Sequence, residues 1–225
     1  MKYINPEYQV IGLCGYAGSG KDLFYQLLSQ KMGDLRREAL ADQLKSEMRD
    51  DLIKSHNIDI FNCEREEKDS VRHLLVEYGT KKRRKTNGRH WVEKLNKKIL
   101  PLDQDICVTD IRYAHYENDE HRWLKDELGG VLVWIDLYTT DHGEGARIDN
   151  GPPNEEEKIN GPLLKEYADF VIEWEKVRNI DRLGRYVDEF IGWLHGQRNK
   201  GRNPSKQNQK GKMQQEHQGV NRKTF

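Results

Sequence analysis

One eight-residue run constrains this chain more than any other: Gly15-Tyr16-Ala17-Gly18-Ser19-Gly20-Lys21-Asp22. It fits the phosphate-cradling loop G-x-x-x-x-G-K-[ST] at every fixed position but the last, where Asp22 replaces a metal-binding hydroxyl. The flanks fit as well. Tyr8 to Cys14 reads as a short buried strand, and Leu23, Phe24, Leu27, Leu28 and Met32 recur at helical spacing. The loop therefore sits on a strand-to-helix turn. There the backbone N–H groups of Ala17 to Lys21 can form a nest for phosphate oxygens, aided by the positive end of the helix. Gly15, Gly18 and Gly20 let the backbone approach the phosphates, with Ala17 and Ser19 between them. Lys21 supplies a mobile cation for the β and γ oxygens of ATP.

Asp22 is the anomaly. A carboxylate beside a triphosphate is repulsive unless a metal lies between them, so Asp22 is expected to hold Mg²⁺ or one of its waters. The plainer account is an acid in the first helical turn, favoured by the helix dipole. Asp110 ends the apolar run Asp105-Ile106-Cys107-Val108-Thr109, where a second Mg²⁺-organising acid belongs. Its plainer account is a strand-terminal turn residue.

At 225 residues the chain can hold one full α/β domain. Lys plus Arg equal Asp plus Glu, at 38 each, but the balance is uneven. Residues 196–225 carry eight Lys or Arg against one Glu, so this end is about +7 and the rest about −7. That stretch has almost no apolar residues and is expected to be a disordered basic tail, either a solvated extension or a weak nucleic-acid tether. Cys14, Cys63 and Cys107 form no C-x-x-C pair and read as reduced thiols. No signal peptide and no apolar run of membrane-spanning length is evident, which points to a soluble cytoplasmic protein.

Further along, strand-like and helix-like segments alternate. A strand over Arg36 to Ala41 leads at Asp42 into a helix through Leu44, Met48, Leu52 and Ile53. Glu64 to Tyr78 is expected to be helical, Lys81 to Lys85 a basic loop, and His90 to Leu100 a helix. After the strand ending at Asp110, Trp123, Leu124 and Leu128 mark a helix closed by Gly129-Gly130. A strand follows from Val131 to Leu137, then a polar, lid-like loop over residues 138–162. Phe170 to Ile172 forms the last strand and Leu183 to Leu194 the last helix. The pattern implies a three-layer α/β/α fold on a mainly parallel, five-stranded sheet, with ligands beyond the carboxyl ends of the strands. The expected division is a kinase domain over 1–195 and the tail over 196–225.

Arg112 lies two residues beyond Asp110, and Arg72, on the helix before Tyr78, and Arg83 after it are cations suited to an already phosphorylated acceptor, their planar forks making paired bonds to phosphate; Arg72 could equally be a surface helix residue. Arg147 is the one arginine of the 138–162 segment and could close over the transferring group. Trp91 could stack a base or be plain core.

Taken in order, these segments resemble the deoxynucleoside monophosphate kinases of bacteriophages over about residues 8 to 195. The likeness rests on the G-K-D loop, on Ala41-Asp42-Gln43-Leu44-Lys45 (compare A-D-P-L-K), and on Leu74 to Thr80 with Arg83 and Trp91. It continues through Asp110-Ile111-Arg112-Tyr113 (compare D-x-R-F) and Ala168-Asp169-Phe170-Val171-Ile172. The chain departs from the family pattern at Leu23 and Gln43. His115-Tyr116-Glu117 fits the family's N-E only loosely, and Asn154 to Glu157 its H-E-S-E. The resemblance implies phosphoryl transfer from ATP with Mg²⁺ to a deoxynucleoside monophosphate, supplying DNA precursors in a monomer or homodimer, in host cytoplasm if viral. It implies that Asp42, Lys45, Arg72, Arg83, Trp91 and Arg112 hold the acceptor. Animal-type phosphomevalonate kinases share the G-K-D loop, the P-L-K segment and a D-x-R. A reading from another class is a nucleic-acid-binding adaptor with a vestigial phosphate loop.

Overall fold

Val10–Cys14 is buried along its whole length, as a central parallel strand covered on both faces must be, and forms β1. The computed structural model describes residues 8–141, 145–176 and 180–201. After β1 come α1 (Lys21–Met32), β2 (Leu35–Glu38), α2 (Leu40–His56), α3 (Arg65–Lys85), α4 (Arg89–Ile99) and β3 (Asp105–Val108). A short α5 (Glu120–Arg122) runs into a π-turn (Trp123–Glu127), followed by β4 (Val131–Thr140), β5 (Arg147–Asp149), α6 (Glu155–Tyr167) and β6 (Phe170–Glu175). The described residues up to Ile180 form one compact unit and those from Asp181 onward another. The described part of the second unit is helical, with a 3-10 turn (Ile180–Leu183) entering it and α7 (Gly184–Gly201) continuing past the expected end at Leu194. The Phe190 and Trp193 rings of α7 stack with centroids 5.9 Å apart. The rest of the basic tail lies outside the described residues.

The sheet runs β2-β3-β1-β4, all parallel, with β6 parallel on the far side of β4. It has six strands rather than five, because β5 adds an antiparallel partner to β4. Tyr138 faces Glu175 of β6 and also Asp149 of β5, so β5 must lie on the β1 side of β4, beyond the end of β1. The chain crosses from β1 to β2 in one direction and returns from β2 through β3 to β4 in the other. Right-handed crossovers then put α1 on one face and α2 to α6 on the opposite face. The core agrees. Val10, Cys14, Ile106, Val108, Leu132 and Trp134 pack with Leu40, Trp91, Leu95, Trp123, Leu124 and Leu164 from the α2-to-α6 side. On the α1 side, buried Phe24 meets the Trp174 ring edge-on at 6.1 Å.

Two expected loops are regular structure. Lys81 to Lys85 completes α3, where cations in the last turn complement the negative end of the helix dipole. Within residues 138–162, β4 extends to Thr140, β5 pairs back on it, and α6 starts at Glu155. Asn154 caps that helix, its Oδ1 accepting from the Glu157 amide at 2.9 Å. Among the described residues no helix is long and apolar enough to cross a membrane.

Candidate active site

The turn after β1 takes the shape its glycines permit. Gly15, Gly18 and Gly20 hold φ of 135°, 81° and 91°, values that residues with a Cβ rarely adopt. At Gly15 a Cβ would lie 2.3 Å from the carbonyl oxygen of Ile135, and at Gly20 2.4 Å from the Trp174 ring. The Trp174 indole also donates to the Ser19 carbonyl at 2.8 Å, so β6 buttresses the turn from below. Gly15→Ala is therefore expected to lower stability by about 2 kcal/mol or more, measured by denaturant unfolding.

The turn binds an anionic oxygen already. Oε2 of Glu157, on α6, accepts from the Ala17 amide at 2.7 Å, and the Asn150 side chain donates to the Ala17 carbonyl at 3.1 Å. Lys21 folds over the turn, its ammonium donating to the Gly15 and Tyr16 carbonyls at 2.8 and 2.9 Å. Burial, and then the nearby Arg112 charge, push the Lys21 pKa below its ordinary value. The residues present fit a chain of phosphates: an Ala17 amide that already holds a carboxylate oxygen, glycines at 15, 18 and 20 where no Cβ intrudes, and a partly desolvated cation.

Asp22 heads α1 with its side chain exposed, and Arg37 Nη2 stands 4.0 Å away. Arg37 also pairs with Asp42 at 3.1 Å, and Asp42 in turn with Lys45 at 2.8 Å. Burial opposes ionisation of Asp42, yet the Lys45 and Arg37 bonds hold its pKa below the usual carboxylate value. Arg37 thus links the start of α1 to the start of α2. It lies on β2, a short strand whose sequence carried no motif.

Asp110 departs from the metal role expected of it. Its two oxygens accept from the Leu40 and Ala41 amides at 2.7 and 2.8 Å, satisfying the start of α2. Burial pushes its carboxyl pKa up, against the pull of those amides and Arg112. Among the described residues no group of three His, Cys, Asp or Glu side chains gathers to hold a metal. Asp22 is an accessible acid beside the turn, and one or two carboxylates with water suffice for Mg²⁺ beside phosphates.

A cavity of about 290 Å³ opens next to these residues, within reach of the size of small-molecule sites. Leu40, Leu44, Leu75, Val76 and Trp91 supply apolar wall, and Lys45, Lys68, Arg72 and Arg112 supply positive charge. Arg72 keeps a bond to Asp69 at 2.6 Å. Trp91 is buried, its indole donating to the Gly79 carbonyl at 3.3 Å, so it walls the cavity as part of the core. Arg83 is also buried. It bonds Asp119 at 2.8 Å and lies over the Tyr113 ring at 3.3 Å, with its Nε unpartnered.

The loop carrying Arg112 is pinned at successive amides. The Ile111 amide donates to the Leu13 carbonyl at 3.0 Å. Oε2 of Glu120 accepts from the Arg112 and Tyr113 amides at 2.6 and 3.1 Å. Asn160 of α6 accepts from Ala114 at 2.9 Å, and Asp119 from Tyr116 at 2.6 Å. Asp119-Glu120, and not His115 to Glu117, is therefore the polar pair that supports this loop. Burial pushes the Glu120 carboxyl up to about 8 despite the opposing Arg83 charge.

Arg147 sits away from its expected place over the donor. Its guanidinium bonds Asp149 and Glu173 at 2.5 and 2.9 Å and covers the Tyr138 ring. From the same segment it is Asn150 and Glu157 that reach the phosphate turn. Neither was singled out for that role by the sequence: each pairs with Ala17 across more than 130 residues, a separation no local pattern encodes.

No family model matches the chain, and no curated protein matches it. Among solved structures, shikimate kinase from Acinetobacter baumannii in complex with shikimate is 14% identical, with 82% of this chain and 93% of that chain covered and a TM-score of 0.41. Dephospho-CoA kinase from Campylobacter jejuni is 12% identical, with 82% and 96% covered and a TM-score of 0.39. The APS kinase of Mycobacterium tuberculosis is 14% identical, with 82% and 97% covered and a TM-score of 0.34.

Proposed function

We propose that this chain is an enzyme, a kinase that passes the γ-phosphoryl group of ATP to the phosphate of a deoxynucleoside 5′-monophosphate. One observation carries the reading: a phosphate-binding turn and a cation-lined cavity share Arg112, which lines the cavity and whose charge also acts on Lys21. An acceptor that already carries phosphate needs such cations, because two anions must be brought together. Lys21 and the Ala17, Gly18, Gly20 and Lys21 amides hold the donor phosphates once Glu157 gives way. Lys45, Arg72 and Arg112 hold the acceptor phosphate, while Asp42 and Arg37 orient Lys45. Buried Arg83 supports the Tyr113 side of the cavity, and Trp91 closes its wall. Mg²⁺ would neutralise charge between donor phosphates, its water held by Asp22. The protein's contribution is positioning and charge neutralisation, without a covalent intermediate.

Purified protein with Mg-ATP is expected to convert at least one of dAMP, dCMP, dGMP and dTMP to the diphosphate, read by ion-exchange chromatography. Turnover of mevalonate 5-phosphate with every nucleotide refused would assign the cavity to that acceptor instead. Asp22→Ser tests the metal role: turnover at limiting Mg²⁺ should fall about tenfold, as for other groups that orient a metal's ligands. Full activity with the hydroxyl would leave Asp22 as a helix-start acid.

A further inference from the structure

Helix α6 touches both halves of the site from one face. Glu157 bonds the Ala17 amide of the phosphate turn, and Asn160, three residues on, bonds the Ala114 amide of the loop that carries Arg112. Residues three apart on a helix are neighbours, so the two contacts share a face. Asn160 is 1% exposed, and its other end is fixed as well: Nδ2 donates to the Glu156 carbonyl at 2.9 Å. A continuous path thus runs from the turn holding Glu157, through the Glu156 carbonyl and the Asn160 amide, to the backbone of the arginine loop. The helix is also close-packed on the phosphate turn. A Cβ at Gly161 would meet the Tyr16 ring at 2.4 Å. Pro162 follows inside α6 and has no N–H to donate to the Lys158 carbonyl, so the helix lacks one hydrogen bond just after this face.

The Glu157 carboxylate and a donor phosphate are competitors. Both are anions, both seek the Ala17 amide, and each repels the other, so one must leave when the other arrives. We propose that Glu157 and Asn160 are positioning residues that couple the two halves of the site: donor phosphate displaces Glu157 from Ala17, and α6 passes the shift through Asn160 to the Arg112 loop. This rests on the reading of Gly15–Lys21 as the donor-phosphate turn. Coupling of this kind is reciprocal, so acceptor held by Arg112 would also change donor affinity. The arrangement keeps the arginine loop in one setting while the donor turn is closed by the protein's own carboxylate. It is re-set only when donor is present, which favours transfer with both substrates bound.

The test uses ¹⁵N-labelled full-length protein titrated with Mg-AMP-PNP, following the Ala17 and Ala114 amide resonances. Both are expected to move with one shared Kd. Glu157→Gln removes the competing charge and should tighten Mg-AMP-PNP binding about fivefold or more. In Asn160→Ala the Ala17 response should persist while that of Ala114 is lost. Unchanged or weaker binding in Glu157→Gln overturns the proposal, as does an undiminished Ala114 response in Asn160→Ala. If Asn160→Ala does not fold, the Glu157→Gln affinity decides alone. A titration that moves no amide of residues 15–21 in any variant is a different result: it removes the donor-site reading itself.

Discussion

Lys21→Ala is expected to reduce phosphoryl transfer by at least about a hundredfold, the scale on which losing one preorganised charge-stabilising donor acts. Its ammonium now spends its hydrogen bonds on the Gly15 and Tyr16 carbonyls and is partly desolvated. A cation in that state gains more from a phosphate oxygen than one in bulk water, because the local dielectric is lower and its hydration is already lost. The loss should fall mainly on kcat if the contact strengthens as charge shifts toward the leaving oxygen, and on KM if it is equal in ground and transition states. The substitution leaves β1, α1 and the glycine conformations in place, so thermal unfolding should move little beside the loss of turnover. Near-normal kcat/KM in Lys21→Ala would remove the turn from the reaction.

The shape of the turn after β1 was readable because its determinants are local. Gly15, Gly18 and Gly20 announce positive φ, and the strand before them and the helix after them fix where the nest points. The sheet was readable for a similar reason, since apolar runs such as Asp105–Val108 alternate with amphipathic helices. The errors follow a pattern. Arg147-Ile148-Asp149 is an exposed three-residue strand, too short and polar for periodicity to reveal. Lys81 to Lys85 looked like a loop on charge alone, although cations are favoured in a last helical turn. Asp110 sits where a metal-organising acid would, yet spends both oxygens on α2 amides supplied by residues 40 and 41. Arg37, Glu120 and Glu157 matter through partners distant in sequence or through backbone amides. Side-chain identity alone says nothing about either.

Glu120→Gln should flatten the pH dependence of stability between about pH 5 and 8. The parent carboxyl is pushed up to about 8 by burial, from an ordinary value near 4.5. Across that window the folded chain keeps a proton that the unfolded chain gives up. More protons bound in the native state means that stability falls as pH rises, with the full contribution present below about 4.5 and gone above about 8. A gap of this width corresponds to a loss on the order of 5 kcal/mol over the window. The groups facing Glu120 shape the size of the effect: Arg83 from α3 favours ionisation, while Asp119 and Asp110 oppose it. Other groups add to the parent profile. Asp110 is shifted in the same direction, and His121, held below its ordinary value by burial, works the opposite way as it discharges. The difference between parent and Glu120→Gln cancels those contributions. Glutamine keeps an oxygen for the Arg112 and Tyr113 amides, so its profile isolates the proton from the hydrogen bonds. Urea unfolding at half-unit pH steps provides the comparison, and parallel curves for the two proteins would show that Glu120 is ionised at neutral pH. The consequence reaches the site, because the same carboxyl holds the loop that presents Arg112 to the cavity. Ionisation near pH 8 strengthens its grip on the two amides and ends the fall of stability with pH. The acceptor KM of the parent should therefore change across pH 8, and that of Glu120→Gln should not.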